Sequence, residues 1–460
     1  MNILATILLT ISLLTGNAIT GQANMSVLVQ NMTTGEVIDE YRSGYVVPPA
    51  SVMKLLTTAA ALQLLGDDFR FPTTLEHTGI VTNGVLHGDL YIRGNCDPSL
   101  GTKRKQAFLY QWIKALRAYG IQRIDGAVIA DMTMLDGDAQ NPNWLCEDAG
   151  NYYAPGIFAL NYYDNTMNIV LRSGPVGTPA VVMNTEPKVD DIRFINHIRC
   201  GTITYDGAFV TGLPYSHERY LTGSVPSNLG TFGVKGDLPN PGLLLAKHFT
   251  MRLREQGIAV EREANYIADY NPLTPPRTLI YTHYSEPLGE LIRETNVNSN
   301  NLYAESLFRY LGTRYGLPGT IHNSQEMLRD YWRRRGINVQ NAIIKDGCGL
   351  APQDAVSAKT FVQLLNYMAR SPYAEAWFRS LPVSGETGTL KSLCAGTELQ
   401  GRIHAKSGTI AGTKNFAGYI DMPNGDRWVF AVLVNSAPGK AKNIQYVIQQ
   451  YLLDVYRRNQ

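Results

Sequence analysis

Residues 48–66 read Pro-Pro-Ala-Ser-Val-Met-Lys-Leu-Leu-Thr-Thr-Ala-Ala-Ala-Leu-Gln-Leu-Leu-Gly and carry the strongest structural signal in the chain. The two prolines disfavour helix before Ser51, and the pattern predicts a helix from Ser51 to Leu65 that stops at Gly66. Its side chains are apolar almost all round, so we expect it to be buried. Ser51 then lies in the first helical turn, where free backbone N–H groups and the helix dipole favour developing negative charge.

Ser51 and Lys54 lie three residues apart on one helical face, so the hydroxyl and the amine can come within hydrogen-bonding distance. A serine hydroxyl needs a base to become a nucleophile, and a lysine serves as that base only when it is neutral. Burial or a positive neighbour lowers a lysine pKa in this way. The alternative, a lysine that extends along the helix to water, fits poorly because this helix offers no polar face.

A second motif, Ser299-Asn300-Asn301, lies within a helical pattern that spans residues 285–315. The Ser299 hydroxyl is a candidate proton relay, and the Asn301 carboxamide is a candidate holder of a substrate amide. The alternative is an N-cap cluster for the helical run Leu302 to Leu311, because Ser and Asn are good caps.

A third motif, Lys406-Ser407-Gly408-Thr409, falls on a predicted strand. Gly408 has no side chain, which lets a substrate backbone lie close to the strand. One cation and two hydroxyls beside it suit a substrate carboxylate, and the backbone N–H groups of Thr409 and Ser51 are candidates for an oxyanion hole. The alternative is an ordinary edge strand that a lysine protects from further pairing.

The three motifs together match the S-x-x-K, S-x-N and K-[ST]-G set of serine acyl-transferases that use a lysine base. Each motif alone is weak, and the ordered set is strong. In this interpretation Lys406 is also the positive neighbour that lowers the pKa of Lys54.

Composition narrows the alternatives. Lys and Arg number 41 against 39 Asp and Glu, a net charge of +2, which gives no electrostatic case for binding nucleic acid or an anionic membrane. The sequence has no H-E-x-x-H, G-x-S-x-G or Walker motif, so zinc peptidase and α/β-hydrolase interpretations lose their main support. The five cysteines form no C-x-x-C pair and are interpreted as mostly buried, reduced side chains.

The first residues predict a secretory signal peptide over residues 1–23. An apolar run from Ile3 to Leu14 is followed by small residues, with cleavage points after Ala18 or Ala23. The run is shorter than the roughly 20 apolar residues that span a bilayer. The alternative is a buried N-terminal strand or helix.

The middle of the chain differs in texture from its ends. Over residues 71–278, Gly, Pro, Asn and Asp separate short strand-like runs, which predicts an inserted α+β region of two subdomains. Residues 24–70 and 279–460 then form the catalytic domain. Near its end the sequence predicts three antiparallel strands and a helix with one apolar stripe; the strands are Gly401 to Thr409, Asn415 to Asp421 and Arg427 to Asn435.

With these motifs the chain resembles the penicillin-binding proteins, specifically the class C low-molecular-mass D-alanyl-D-alanine carboxypeptidase/endopeptidase family. The long interval from Ser51 to Ser299 is typical of that family and not of β-lactamases. Asp346-Gly347-Cys348-Gly349-Leu350 and Gly94 to Leu100 are also family-like, although Cys348 replaces the usual Ser, Cys96 the usual Gly, and Ser407 the commoner Thr. The resemblance implies a penicillin-binding, β-lactamase-like transpeptidase domain, α+β, in which helices cover both faces of an antiparallel sheet.

The resemblance also implies a function. An exported, periplasmic or cell-envelope serine D-Ala-D-Ala carboxypeptidase, with D,D-endopeptidase activity as the companion reaction, would cleave peptidoglycan stem peptides. Ser51 would form the acyl-enzyme, Lys54 would take its proton, and Ser299 would pass a proton to the leaving amine. Asn301 and the strand from Lys406 through Ser407 and Gly408 to Thr409 would hold the peptide.

Further expectations follow from the same resemblance. β-Lactams would acylate Ser51, no cofactor or metal would be needed, and the mature chain would have no transmembrane helix and no nucleic-acid partner. Two alternatives remain open on the sequence. One is a β-lactamase, which would need fast deacylation, and the other is a non-catalytic wall-binding or penicillin-sensing protein that keeps the fold.

Overall fold

The computed structural model describes residues 10–459. Their contacts divide the chain into two compact units. The first unit contains the described residues up to Phe69, then Pro287–Gly312 and the described residues from Ile321 on. The second unit contains Arg70–Glu286 and Thr313–Thr320.

Strands dominate both units. In chain order they are β1 (Asn24–Asn31), β2 (Val37–Tyr41), β3 (Val46–Val47), β4 (Pro72–His77), β5 (Ile80–Thr82), β6 (Val85–His87), β7 (Leu90–Arg93), β8 (Arg123–Ile124), β9 (Val128–Asp131), β10 (Thr166–Arg172), β11 (Val181–Glu186), β12 (Arg193–Asn196), β13 (Arg199–Gly201), β14 (Gly207–Thr211), β15 (Glu218–Pro226), β16 (Phe232–Asp237), β17 (Ala259–Val260), β18 (Asn265–Ile267), β19 (Thr278–Tyr284), β20 (Val356–Ser357), β21 (Ile403–Ile410), β22 (Thr413–Asp421) and β23 (Arg427–Asn435).

The α-helices with defined bounds are α1 (Lys54–Leu65), α2 (Ala107–Ala118), α3 (Pro241–Glu255), α4 (Leu288–Asn298), α5 (Asn301–Gly312), α6 (Ile321–Arg334), α7 (Ala358–Ala369), α8 (Ala374–Ser380) and α9 (Ala441–Arg458). A short helical segment at residues 10–15 precedes them. A 3₁₀ turn, Ala50–Met53, leads directly into α1.

A five-stranded antiparallel sheet organises the first unit, in the order β2-β1-β23-β22-β21. The last three strands confirm the three strands predicted near the end of the chain, and Gly425 turns between two of them with φ +88°. Strand β21 lies at the edge of this sheet. The strand that carries the Lys406 motif therefore has one side that β22 does not occupy.

Helices cover both faces of this sheet. On one face α7 packs against β1 and β23, and the Ala358 backbone N–H donates to Ser26 on β1 at 3.0 Å. On the other face α9 packs against β22. The predicted apolar stripe of α9 is confirmed, because all of its members are buried in one hydrophobic cluster with the sheet: Ile444, Val447, Ile448, Tyr451, Leu452 and Val455.

Helix α1 is buried, as its apolar sequence predicts. Every residue from Lys54 to Leu62 is buried, and the helix packs against α4, α5 and α6. The Trp332 indole of α6 donates to the Leu56 backbone oxygen at 3.1 Å. Close packing against these three helices therefore fixes the position of α1 and of the side chains in its first turn.

The second unit is built from short strands in four sheets, as far as the described residues show. Their orders are β18-β9-β7-β4-β19, β17-β8-β6-β5, β11-β10-β16 and β12-β15-β13 with β14 paired to β15. An ion pair between Arg219 and Asp237 at 2.8 Å, with both side chains fully buried, links β15 to β16. The predicted division into two subdomains stays a prediction.

Residues on either side of the insertion, both of them in the first unit, lie together. The Leu288 backbone N–H donates to the Phe69 backbone oxygen at 2.7 Å. The sequence placed the far end of the insertion at residue 278, whereas the second unit continues to Glu286. The physical reason is that β19 pairs with β4, so residues 278–284 complete a sheet of the second unit.

Part of the predicted signal peptide, residues 1–9, lies outside the described residues. Within residues 10–23, Ile11 and Leu14 are buried in the hydrophobic cluster that includes the α9 stripe. Between residues 10 and 459, no helix combines the length and the apolar character that a bilayer crossing requires.

Candidate active site

Ser51 lies in a constrained turn at the start of α1. The predicted helix begins here as a 3₁₀ turn and becomes α-helical only at Lys54. Ala50 precedes Ser51 with φ +47°, in the left-handed region that non-glycine residues rarely adopt. Asn415 on β22 fixes this turn, because its side-chain amide donates to the Pro48 backbone oxygen at 2.9 Å.

Lys54 is fully buried and is surrounded by three oxygens. Its Nζ lies 2.9 Å from Ser51 Oγ, 2.6 Å from Asn301 Oδ1 and 2.8 Å from the Cys348 backbone oxygen. The Asn301 and Cys348 oxygens can only accept, so they take two N–H bonds. The third direction of the nitrogen faces Ser51. In a neutral amine that direction holds the lone pair, which can accept the serine proton.

The surroundings of Lys54 act on its pKa in opposite directions. Burial is the largest cause and lowers the pKa, because the charged form loses its hydration. Cys348, Asp346 and Glu305 raise the pKa by favouring the ammonium. Burial prevails, and the pKa of Lys54 lies below its ordinary value.

Ser299 and Asn301 occupy a break between two helices. Ser299 ends α4 in the left-handed conformation with φ +58°, and α5 begins at Asn301. Asn300 caps α5, since its Oδ1 accepts the Tyr303 backbone N–H at 3.2 Å. Of the predicted cap cluster, Asn300 caps the helix, while the flanking Asn301 and Ser299 contact the two buried lysines.

Lys406 on β21 is the second buried lysine. Its Nζ donates to Ser299 Oγ at 2.9 Å and to the Ser407 backbone oxygen at 2.8 Å. Burial, the charge on Lys54 and the charge on Lys414 hold the pKa of Lys406 well below its ordinary value. Electrostatic repulsion is reciprocal, so a charge on either lysine disfavours a charge on the other.

The structure gives a reason for glycine at position 408 that the sequence did not predict. A Cβ at this position would lie 2.6 Å from the Pro49 backbone oxygen and 3.1 Å from the Ser51 backbone nitrogen. The strand therefore packs directly on the turn that carries Ser51, and any larger residue would push the two apart. The expectation was instead that a substrate backbone needs this space.

The rest of this motif lies along the outer side of β21. The Ala405 backbone N–H points away from β22 and donates to the Pro382 oxygen at 3.1 Å. By the two-residue period of a strand, the N–H groups of Ser407 and Thr409 point the same way. Thr409 is exposed, whereas Ser407 is buried and donates to Thr389 Oγ1 at 2.8 Å.

A buried loop, residues 346–351, lies against Lys54 and completes the site. The Asp346 carboxylate accepts backbone N–H bonds from four residues, and so shapes the turn that presents the Cys348 oxygen; the donors are Cys348 at 3.1 Å, Gly349 at 2.6 Å, and Leu350 and Ala351 at 2.8 Å each. Thr57 on α1 anchors the loop by donating to the Gly347 oxygen at 2.8 Å.

The structure brings together the predicted site residues. Hydrogen bonds connect five of them in two groups, Lys54 with Ser51 and Asn301, and Lys406 with Ser299. Ser407, Gly408 and Thr409 adjoin them on β21.

Sequence reasoning missed four residues that shape the site, namely Thr389, Asn415, Lys414 and Glu305. Lys414 lies opposite Thr409 on β22 and donates to its Oγ1 at 2.9 Å; burial lowers its pKa to about 8. The predicted pairing of these two strands was a signal for Lys414. Glu305 had a signal too, since it lies four residues after Asn301 on the same helical face.

Comparison with known proteins identifies the fold. The structure is similar to the crystal structure of penicillin binding protein 4 from Haemophilus influenzae, with a TM-score of 0.83 and 23% identity, covering 98% of each chain. Similarity to the same protein complexed with a β-lactam gives a TM-score of 0.79 at 23% identity, over 97% of this chain and 99% of that one. The predicted penicillin-binding, β-lactamase-like α+β fold is confirmed.

Sequence comparison gives the family. A model of the D-Ala-D-Ala carboxypeptidase 3 (S13) family matches residues 12–454, and the chain belongs to that family. It is 27% identical over 430 residues to a D-alanyl-D-alanine carboxypeptidase from Actinomadura sp. (strain R39), over 90% of this chain and 78% of that protein. The predicted family and the predicted class of enzyme, a serine-type D-Ala-D-Ala carboxypeptidase, are confirmed.

Proposed function

We propose that this carboxypeptidase uses Ser51 as its nucleophile and Lys54 as the base that activates it. One observation carries the proposal: Lys54 Nζ lies 2.9 Å from Ser51 Oγ while two carbonyl oxygens hold its other directions. The lysine is buried and the serine is only half-buried. A substrate thus reaches the hydroxyl, and water does not solvate the amine.

The stem peptide binds along the outer side of β21. Its backbone pairs with the N–H and C=O groups that point away from β22, in the manner of an added strand. The Asn301 amide holds a substrate amide, and Lys406 with the Ser407 and Thr409 hydroxyls holds the terminal carboxylate. The closeness of Gly408 to the Ser51 nitrogen brings the Ser51 and Thr409 N–H groups to one oxyanion.

The reaction proceeds through an acyl-enzyme. Lys54 takes the Ser51 proton as Oγ attacks the carbonyl of the penultimate D-alanine. Ser299, which Lys406 holds by a hydrogen bond, passes that proton on to the leaving D-alanine amine. Water then attacks the ester and releases the shortened peptide. In the endopeptidase reaction the leaving amine belongs to a neighbouring stem peptide.

β-Lactams are proposed to acylate Ser51 by the same first step, because their strained amide occupies the place of the peptide bond. The β-lactam complex of a protein with this fold supports this point. Action on the cell wall requires export to the periplasm or cell envelope, and the predicted signal peptide supplies the route. N-terminal sequencing of protein from the envelope fraction tests it, since an unprocessed terminus in the cytoplasm contradicts export.

The nucleophile assignment is tested by labelling with a fluorescent penicillin. Ser51→Ala is expected to abolish both the covalent label and D-alanine release, because no second nucleophile replaces the hydroxyl. Lys54→Ala is expected to lose acylation with Ser51 intact. Ser392→Ala, which changes an exposed serine, is the matched control and keeps both activities. A stable penicillin adduct on the folded Ser51→Ala protein contradicts the proposal.

A further inference from the structure

Glu305 is a buried acid that the reaction above does not use. It lies on α5, four residues after Asn301, and its side chain is 1% exposed. Its carboxyl accepts the Gly347 backbone N–H. One carboxyl oxygen of Glu305, one carboxyl oxygen of Asp346 and the Cys348 sulfur lie within 4.8 Å of one another.

The charge of this cluster decides what it does. The oxygens of Asp346 are engaged by backbone N–H groups, an arrangement that suits a carboxylate. A second negative charge beside it in a dry site is unfavourable. Burial, the largest cause, and Asp346 raise the pKa of Glu305 to about 8, against opposing effects of the Gly347 N–H, Cys348 and Arg309.

Glu305 is coupled to Lys54 in two ways. It holds Gly347, and the next residue presents the backbone oxygen that accepts Lys54 Nζ at 2.8 Å. It also acts through its charge, since an ionised Glu305 raises the pKa of Lys54. Asp354 is part of the same cluster, because burial, Asp346 and Glu305 all raise its pKa.

We propose that Glu305 is a positioning residue for acylation that works in its neutral, protonated form. In that form it fixes the loop that orients Lys54 and adds no second negative charge below the amine. The inference rests on the proposed role of Lys54 as the base.

Proton counting makes the consequence definite. When the pair of Lys54 and Glu305 holds one proton, that proton lies either on the amine or on the carboxyl. Only the second arrangement leaves the amine free to accept the Ser51 proton. A neutral residue in place of Glu305 removes the unproductive arrangement, so active enzyme appears at lower pH.

Glu305→Gln is the direct test, because its amide oxygen can still accept the Gly347 N–H while the side chain cannot ionise. The measurement is the second-order rate of acylation by a fluorescent penicillin as a function of pH. We expect the acidic limb to move down by about half a unit or more, with a plateau within about threefold of the original. Glu290→Gln, an exposed change on α4, is the control with an unmoved profile.

Two further variants separate position from charge. Glu305→Asp shortens the side chain, withdraws the acceptor from Gly347, and is expected to lower the plateau rate about tenfold or more. Glu305→Met keeps a neutral side chain of similar length without an acceptor. It is expected to show the lowered acidic limb together with a reduced plateau, and it serves as the neutral variant if Glu305→Gln fails to fold.

The inference is overturned if folded Glu305→Gln loses acylation at every pH, because the carboxylate itself would then be required. It is also overturned if the neutral variants leave the pH profile unmoved. Failure of the proposed function is recognisable separately, because Ser51→Ala would then still be acylated. An inert Ser51→Ala protein with unmoved Glu305 profiles would reject this inference alone.

Discussion

Two buried lysines with different proposed roles, Lys54 and Lys406, lie at the centre of the site. Lys54 faces Ser51, the proposed nucleophile, and Lys406 on β21 faces Ser299, the proposed proton relay. Burial and mutual repulsion both act against a state in which the two amines are charged together. In the proposed mechanism, a proton on Lys406 attracts the substrate carboxylate, whereas a proton on Lys54 removes the base.

The substitution Lys406→Ala tests these two proposed roles. Removing the positive neighbour is expected to raise the pKa of Lys54, so the acidic limb of acylation by a neutral substrate moves up by about one pH unit. The direction is opposite to that expected for Glu305→Gln. Binding of substrates with a terminal carboxylate is expected to weaken as well.

The measurement compares pH profiles for a neutral ester and for a carboxylate peptide. Lys391→Ala, an exposed lysine of the same unit, is the control. An unmoved pH profile with weakened carboxylate binding would leave Lys406 only a recognition role.

At the level of elements, the break between α4 and α5 brings Ser299 next to Lys406 and Asn301 next to Lys54. Periodicity predicts helix over residues 285–315 without a break, although the Asn and Ser residues at 298–301 are poor helix formers that favour caps and turns. The left-handed Ser299 is held by a partner far away in sequence, Lys406. The three motifs and the terminal strands were predictable because their signals are local.

Asn300→Ala is expected to lower the stability of the first unit by about 1 kcal/mol through loss of the cap on α5. Asn300→Ser, which retains a capping oxygen, is expected to lose much less. The measurement is the urea midpoint for loss of penicillin labelling. Equal midpoints for the alanine and serine variants would show that the cap contributes nothing measurable.

At the level of the whole molecule, the unit that carries the three motifs is interrupted by residues 70–286. The hydrogen bond between Leu288 and Phe69 closes the first unit where the insertion leaves it. Composition predicted the insertion, but its end was missed because β19 pairs with β4, about 200 residues earlier. Residues 313–320 carry no sequence signal of their place in the second unit.

A shortened chain tests whether the insertion takes part in the chemistry. Residues 70–286 are replaced by a short Gly-Ser linker, and residues 313–320 by a turn of similar length. Because all three motifs lie in the first unit, we expect penicillin to label the folded protein within about tenfold of the original rate, while activity on intact cell wall changes. The controls are circular dichroism for folding and Ser51→Ala in the shortened chain.

Folded shortened protein that no longer takes the label would show that the insertion supplies part of the site. Unchanged activity on intact wall would instead argue that the insertion does not select the substrate.

The pairing of β1 with β23 has a consequence for how the chain folds during its synthesis. Asn24 lies opposite Asn435 in that pair, so the first strand cannot pair with this neighbour until residues about 400 positions later in the chain have been made. The inserted unit is complete much earlier and has time to fold while synthesis continues. Lys406 also emerges late. Ser51, the proposed nucleophile, therefore stays without the strand that carries Lys406 until the ribosome has passed the whole insertion.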